Sequence, residues 1–170
     1  MGGMLHVYYG DGVGKTTRSI GLLIRAAGAG KKVFFMQFMK DEGSSEVSIL
    51  KKIPGIEYQC TGTLGFIFER KPTRDEKELA LNGLEKCMDA SSGEFDIVIA
   101  DEALNALGKG LIGEEGLMSL IDGRKKDVEL VLTGRPCPES ILKKSDYATE
   151  FKMVKHPHMK GKKARKGIDY

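Results

Sequence analysis

Eight residues near the amino terminus, Gly10-Asp11-Gly12-Val13-Gly14-Lys15-Thr16-Thr17, restrict the fold more than any other part of the chain. The run before them, Met4-Leu5-His6-Val7-Tyr8-Tyr9, reads as a strand, and the run after them, Arg18-Ser19-Ile20-Gly21-Leu22-Leu23-Ile24-Arg25-Ala26-Ala27, reads as a helix. A glycine-rich turn closing on Gly-Lys-Thr between strand and helix is the setting of a phosphate-binding loop. Glycines let successive backbone N–H groups turn toward one point, and the helix that starts near Lys15 adds roughly half a positive charge there. A polyphosphate fits this loop. Lys15 then reaches between phosphate oxygens, and the Thr16 hydroxyl ligates a magnesium ion bridging two of them.

The glycine spacing departs from the common pattern. G-x-x-x-x-G-K-[ST] requires glycine at position 9, where this chain has Tyr9, and the glycines fall at 10, 12 and 14 instead. A changed loop entry alters which phosphates are held, so the loop alone does not establish phosphoryl transfer. All eight residues, Gly10, Asp11, Gly12, Val13, Gly14, Lys15, Thr16 and Thr17, are nucleotide-binding candidates.

Downstream, apolar runs alternate with helical patterns. Gly28-Ala29-Gly30 stops the first helix, and Lys32 to Met39 is apolar on both sides, as expected of a strand inside a covered parallel sheet. Residues 44–52 predict a short helix ending at Pro54-Gly55, and Ile56 to Cys60 a third strand. Thr73 and Glu76 form a capping-box pattern ahead of a helix to about Ser91. Phe95 to Glu102 is an apolar strand ending in two carboxylates, Glu114 to Ile121 an amphipathic helix closed by Gly123, and Val128 to Leu132 a strand that empties into Thr133-Gly134-Arg135-Pro136. A helix from Pro138 to Lys144 leads to an extended segment, Tyr147 to Lys155. The expected fold is α/β, three layers around a mostly parallel sheet, with right-handed crossovers and ligands at the carboxyl ends of the strands.

The loop, Asp101 with Glu102, and Arg135 all lie at such ends and should converge on one cleft. Asp101 or Glu102 is expected to hold the metal, directly or through water, opposite Thr16. The plainer role for such a carboxylate is to cap the next helix. Arg135 follows a strand end, where its guanidinium can bind phosphate oxygens; a structural ion pair is the alternative. Phe66 and Phe68, one residue apart in a Gly-rich stretch, point the same way if extended. Their residues alone favour a loop tucking aromatics into the core over an exposed aromatic surface.

The 170 residues suffice for one domain spanning 1–170, and 27 basic against 24 acidic residues leave a charge of +3, too small to imply nucleic acid by itself. The basic stretch of about 152–170 carries no aromatic residue before Tyr170, which argues for a solvated surface over a stacking platform. No apolar run is long enough to span a membrane and no signal-peptide pattern is present. Cys60, Cys87 and Cys137 are widely spaced, as expected of reduced packing residues in a cytoplasmic protein, so any metal should arrive with the nucleotide.

Several separated stretches, GDGVGKTT, MQFMK, GFIF, ADEALNAL, VLTGRPCP and the closing YATEFKMVKHPHMKGKKARKGIDY, occur in the order found in ATP:corrinoid adenosyltransferases of cobalamin biosynthesis and salvage. The chain resembles that family over nearly its whole length. It departs from it at Phe68, where tryptophan is frequent, at Asp169, where glutamate is usual, and at Val13, where lysine is common; many relatives also carry a segment ahead of the first strand that covers the site.

The resemblance implies a RecA-like P-loop fold and transfer of the 5′-deoxyadenosyl group of ATP to the cobalt of a reduced corrinoid, releasing triphosphate. It gives Lys15, Thr16 and Arg135 catalytic roles on the triphosphate and places Phe66 and Phe68 against the lower face of the corrin. It also implies magnesium, with manganese as a substitute, a flavoprotein electron donor and a homodimer, with no nucleic-acid partner. The competing classes are a small-molecule or nucleoside kinase, disfavoured by the lack of an arginine-rich lid, and a nucleic-acid-stimulated ATPase using the basic tail.

Overall fold

The computed structural model describes residues 2–62 and 70–169. Six strands, β1 (Leu5–Tyr9), β2 (Val33–Gln37), β3 (Ile56–Cys60), β4 (Ile97–Asp101), β5 (Glu129–Gly134) and β6 (Tyr147–Glu150), form one sheet in the order β3-β2-β4-β5-β1-β6. Every neighbouring pair is parallel, so the sheet is wholly rather than mostly parallel. Parallel neighbours need crossovers, which supply the helices: α1 (Lys15–Gly28), α2 (Val47–Leu50), α3 (Arg74–Ser92), α4 (Ala103–Gly108), α5 (Glu114–Gly123) and α6 (Glu139–Lys144).

Strand residues alternate between two cores, which is the signature of a sheet covered on both sides. Tyr8, Val33, Phe35, Ile97, Ile99 and Val131 pack with Leu23 and Ala26 of α1 and Leu50 of α2. Leu5, Val7, Phe34, Met36, Val98 and Leu130 face the other way, onto α3, α4, α5 and α6 through Leu84, Cys87, Leu104, Leu117 and Ile141. Every residue of β2 and of β4 is buried, as continuous apolar runs in central strands require. The three cysteines are free thiols, and full burial of Cys87 in the core pushes its thiol well above the ordinary range.

The capping box forms as the sequence predicts. The Glu76 N–H donates to Thr73 Oγ1 at 3.3 Å and the Thr73 N–H to Glu76 Oε2 at 2.8 Å. Arg70 clamps the same carboxylate at 2.5 and 2.8 Å.

Three elements differ from expectation. The helix expected over 44–52 is a single turn, Val47–Leu50, because Val47 and Leu50 are its two buried anchors. Helix α4 was not foreseen; Glu102, at φ 62°, turns the chain sharply from β4 into it. The last extended segment pairs with β1 only through Glu150. Phe151 then leaves the ladder for the loop after β1: its N–H donates to Tyr9 O and its carbonyl accepts from Gly12 N, both at 2.7 Å.

Candidate functional site

The carboxyl ends of β1, β2, β4 and β5 meet as expected, and the point of convergence is Asp101. The register sets Gln37 beside Asp101 and Tyr9 beside Gly134. The Asp101 side chain is fully buried, a costly place for a carboxylate unless its lone pairs are filled. They are filled by Thr16 Oγ1 at 3.1 Å from both carboxylate oxygens, by Thr133 Oγ1 at 2.7 Å, and by Gln37 Nε2 at 3.0 Å. Gln37 is itself oriented by the Tyr58 hydroxyl, which donates to its Oε1 at 3.0 Å. Lys40 Nζ adds an ion pair at 3.4 Å. Asp101 thus ties the loop threonine on α1 to strands β2, β4 and β5.

Glu102, next in the chain, makes no such side-chain bonds among the described residues. Burial, and then the negative charge of Asp101, push its carboxyl above the ordinary range; Lys40, Lys15 and Arg135 partly offset this. Its backbone N–H donates to Thr133 Oγ1 at 2.9 Å, which fixes where its side chain begins.

The loop explains its own glycine spacing. Gly10 and Gly14 have φ of 106° and 105°, which side-chain-bearing residues rarely adopt. A Cβ on Gly10 would sit 2.6 Å from Phe151 O, and one on Gly12 would sit 2.8 Å from Phe151 C. The segment leaving β6 therefore lies directly against the loop, and glycine at 10 and 12 is what lets it pass. Lys15 Nζ donates to Gly10 O at 2.7 Å and Gly12 O at 2.8 Å, so the loop curls around the ammonium. Burial is the main reason the Lys15 amine is held below its ordinary range. Gly14 precedes α1, Asp11 and Val13 belong to the turn, and Thr17 lies in the first turn of the helix; Val13 is largely exposed at the tip of the loop.

Arg135 arrives from β5. Gly134, at φ 129°, and a cis Arg135–Pro136 bond turn the chain, and Asn105 Oδ1 of α4 accepts the Arg135 N–H at 2.5 Å. The guanidinium then pairs with Asp11 across the loop at 2.6 Å. Arg135 accordingly lies beside the loop in an ion pair, the structural alternative that the sequence left open.

The hard oxygen donors Thr16, Asp101 and Glu102 at one corner suit a small divalent cation that takes its remaining ligands from water and phosphate. No group of three or more His, Cys, Asp or Glu that could hold a metal occurs among the described residues, so phosphate oxygens would strengthen the hold on such an ion. Phe66 and Phe68 lie outside the described residues. Sequence reasoning missed Gln37, Lys40, Asn105 and Thr133 as site residues. For Gln37 and Thr133 the available signal was a polar side chain at the end of an apolar strand.

A parallel sheet whose first strand enters a glycine loop and helix, with an acid two strands away gripping the loop threonine, defines a P-loop nucleotide-binding protein. The family model described as ATP:corrinoid adenosyltransferase BtuR/CobO/CobP matches residues 1–170, and the chain belongs to that family. It is 31% identical over 172 residues to the corrinoid adenosyltransferase of Escherichia coli (strain K12), covering 99% of this chain and 86% of that protein. The corrinoid adenosyltransferase CobA of Salmonella typhimurium (strain LT2) is likewise 31% identical over 172 residues, with 99% and 86% coverage. The corrinoid adenosyltransferase of Pseudomonas aeruginosa is 29% identical over 171 residues, covering 99% of this chain and 84% of that protein. No helix among the described residues is long and apolar enough to cross a membrane.

Proposed function

We propose that this protein transfers the 5′-deoxyadenosyl group of ATP to the cobalt of a reduced corrinoid. The observation that carries the reading is a family match over the full chain, joined to a loop, acid and arginine that meet at one corner. In the reaction the electron pair of cobalt(I) forms a bond to the ribose C5′. The C5′–O bond breaks, and its electrons leave with the triphosphate. Cobalt(I) is itself a strong nucleophile, so no side chain has to act as base or attacking group. The protein orients the two substrates and stabilises the charge that develops on the leaving group.

Each residue then has a task. Lys15 exchanges the carbonyls of Gly10 and Gly12 for phosphate oxygens, and the loop N–H groups with the α1 N-terminus cradle the chain of phosphates. Arg135 moves from Asp11 onto the triphosphate. Thr16 and Glu102 would hold magnesium, or manganese in its place, while Asp101 orients Thr16. The full hydrogen-bond complement of Asp101, and a Glu102 side chain that makes no hydrogen bond among the described residues, support that division. When bound, the ion neutralises charge on the departing triphosphate. Phe66 and Phe68 lie against the lower face of the corrin and ease reduction of cobalt(II); a flavoprotein supplies the electron, and the enzyme works in the cytoplasm as a homodimer. Family membership is the support for these last assignments.

The test is incubation with ATP, magnesium and chemically reduced cobalamin, followed by absorbance for an alkylated cobalt. Alkylation that requires both ATP and the protein is expected. A corrinoid spectrum that does not change with nucleotide would reject the proposal.

A further inference from the structure

Of the cations in the cleft, Lys15 is satisfied by loop carbonyls and Arg135 by Asp11. Lys40 differs. Its ammonium lies 3.4 Å from Asp101 Oδ2 and 3.5 Å from Thr16 Oγ1, the two groups that define the ion corner. It also leads the cations that favour the ionised form of Glu102. One positive charge therefore stands beside Thr16, which is assigned to the divalent ion, and beside the Asp101 that orients it, and it acts on Glu102 as well.

The backbone is built to deliver it there. Met39 adopts φ 59°, an unusual conformation for a residue with a side chain, and turns the chain back from the end of β2 toward β4. The Gly62 N–H donates to Lys40 O at 2.8 Å, and a Cβ on Gly62 would sit 2.2 Å from the Lys40 backbone. The main chain is thus pinned, while the side chain is long and 29% exposed. An ammonium and a divalent cation repel strongly at such separations, so they cannot share these oxygens. Thr16 adjoins Lys15 at the start of α1, so a triphosphate held by the loop would be the anion for a displaced Lys40 to engage.

We propose that Lys40 is a triphosphate-binding residue that competes with the divalent ion for the Thr16–Asp101 corner and engages the terminal phosphate once the ion is in place. This deepens the adenosyltransferase reading and rests on it. Lys40 then serves twice: it neutralises the buried Asp101, and it carries one of the charges that hold the leaving group.

The experiment compares wild type, Lys40→Met and Lys40→Arg with two probes that need no corrinoid: manganese alone, followed by electron paramagnetic resonance, and magnesium tripolyphosphate, followed by calorimetry. Lys40→Met should bind manganese alone roughly tenfold more tightly, because its competitor is gone, and magnesium tripolyphosphate roughly tenfold more weakly, because a charge-assisted hydrogen bond is lost. Lys40→Arg should stay near wild type with both. A purely structural lysine would weaken both on substitution by methionine, and that result, or no change in either, overturns the proposal. Wild type that binds neither probe would reject the adenosyltransferase reading as well; wild type that binds both beside an unaltered Lys40→Met rejects the role of Lys40 alone.

Discussion

Replacing Gly12 by alanine isolates the contact that sets the loop's unusual spacing. Gly12 has no positive φ, so alanine there is a matter of space rather than backbone conformation. The new Cβ would lie 2.8 Å from Phe151 C, 2.9 Å from Phe151 O and 3.0 Å from Lys152 C. All three are backbone atoms, which cannot rotate aside, and the same movement would break the 2.7 Å hydrogen bond from Gly12 N to Phe151 O. Overpacking costs about 1–3 kcal/mol and the lost bond about 1 kcal/mol, together about 2–4 kcal/mol. For a domain of this size that lowers Tm by roughly 5–15 °C. Thermal melts with and without ATP and magnesium should show the fall and also a smaller nucleotide-induced rise. Gly21→Ala on α1 is the control: its Cβ meets nothing within 4 Å, so it should stabilise the helix by about 0.5–1 kcal/mol. A Gly12→Ala protein that melts with wild type and keeps the full nucleotide response would refute the argument that Phe151 dictates the loop.

Glu102→Gln separates function from stability. Because burial and Asp101 raise the Glu102 carboxyl, its ionised form costs stability above the ordinary carboxylate range, a cost that disappears once both states are protonated at low pH. The variant should melt above wild type near neutral pH, converge with it in acid, and lose more than about tenfold in metal-dependent activity; a lower Tm with full activity would contradict this. Glu76 gives the opposite sign. Arg70, and then the Thr73 N–H, hold its carboxyl down to about 2 from 4.5, so its stabilisation is present above 4.5 and lost as pH falls toward 2. Glu76→Gln should lower stability at neutral pH and flatten its pH dependence over that window, measured by chemical denaturation; an unchanged acid limb would count against the Arg70 clamp.

The parts of the fold that repeat a simple rule were legible in the chain. The apolar runs of β2 and β4 could only be central strands, and Thr73 with Glu76 announced α3 because a capping box is a local device. The phosphate loop was legible for the same reason. Helix α4 was not, since ADEALNAL carries no cap, and its start depends on Glu102 accepting a left-handed conformation that no pattern reveals. Lys40 falls just past the strand read over Lys32 to Met39, and only the turn at Met39 aims it at Asp101. The shifted glycines were visible but not interpretable: their cause, Phe151, is far along the chain and reaches them through the sheet order β5-β1-β6.

The account stands on the identity of the leaving group. Phosphorus NMR of the spent nucleotide, taken after one turnover with ATP, magnesium and cobalt(I) corrinoid, reads it directly. The expected spectrum is that of free, unbroken inorganic triphosphate, equal in amount to the adenosylated corrinoid; ADP with a phosphorylated acceptor or free phosphate would contradict the central claim.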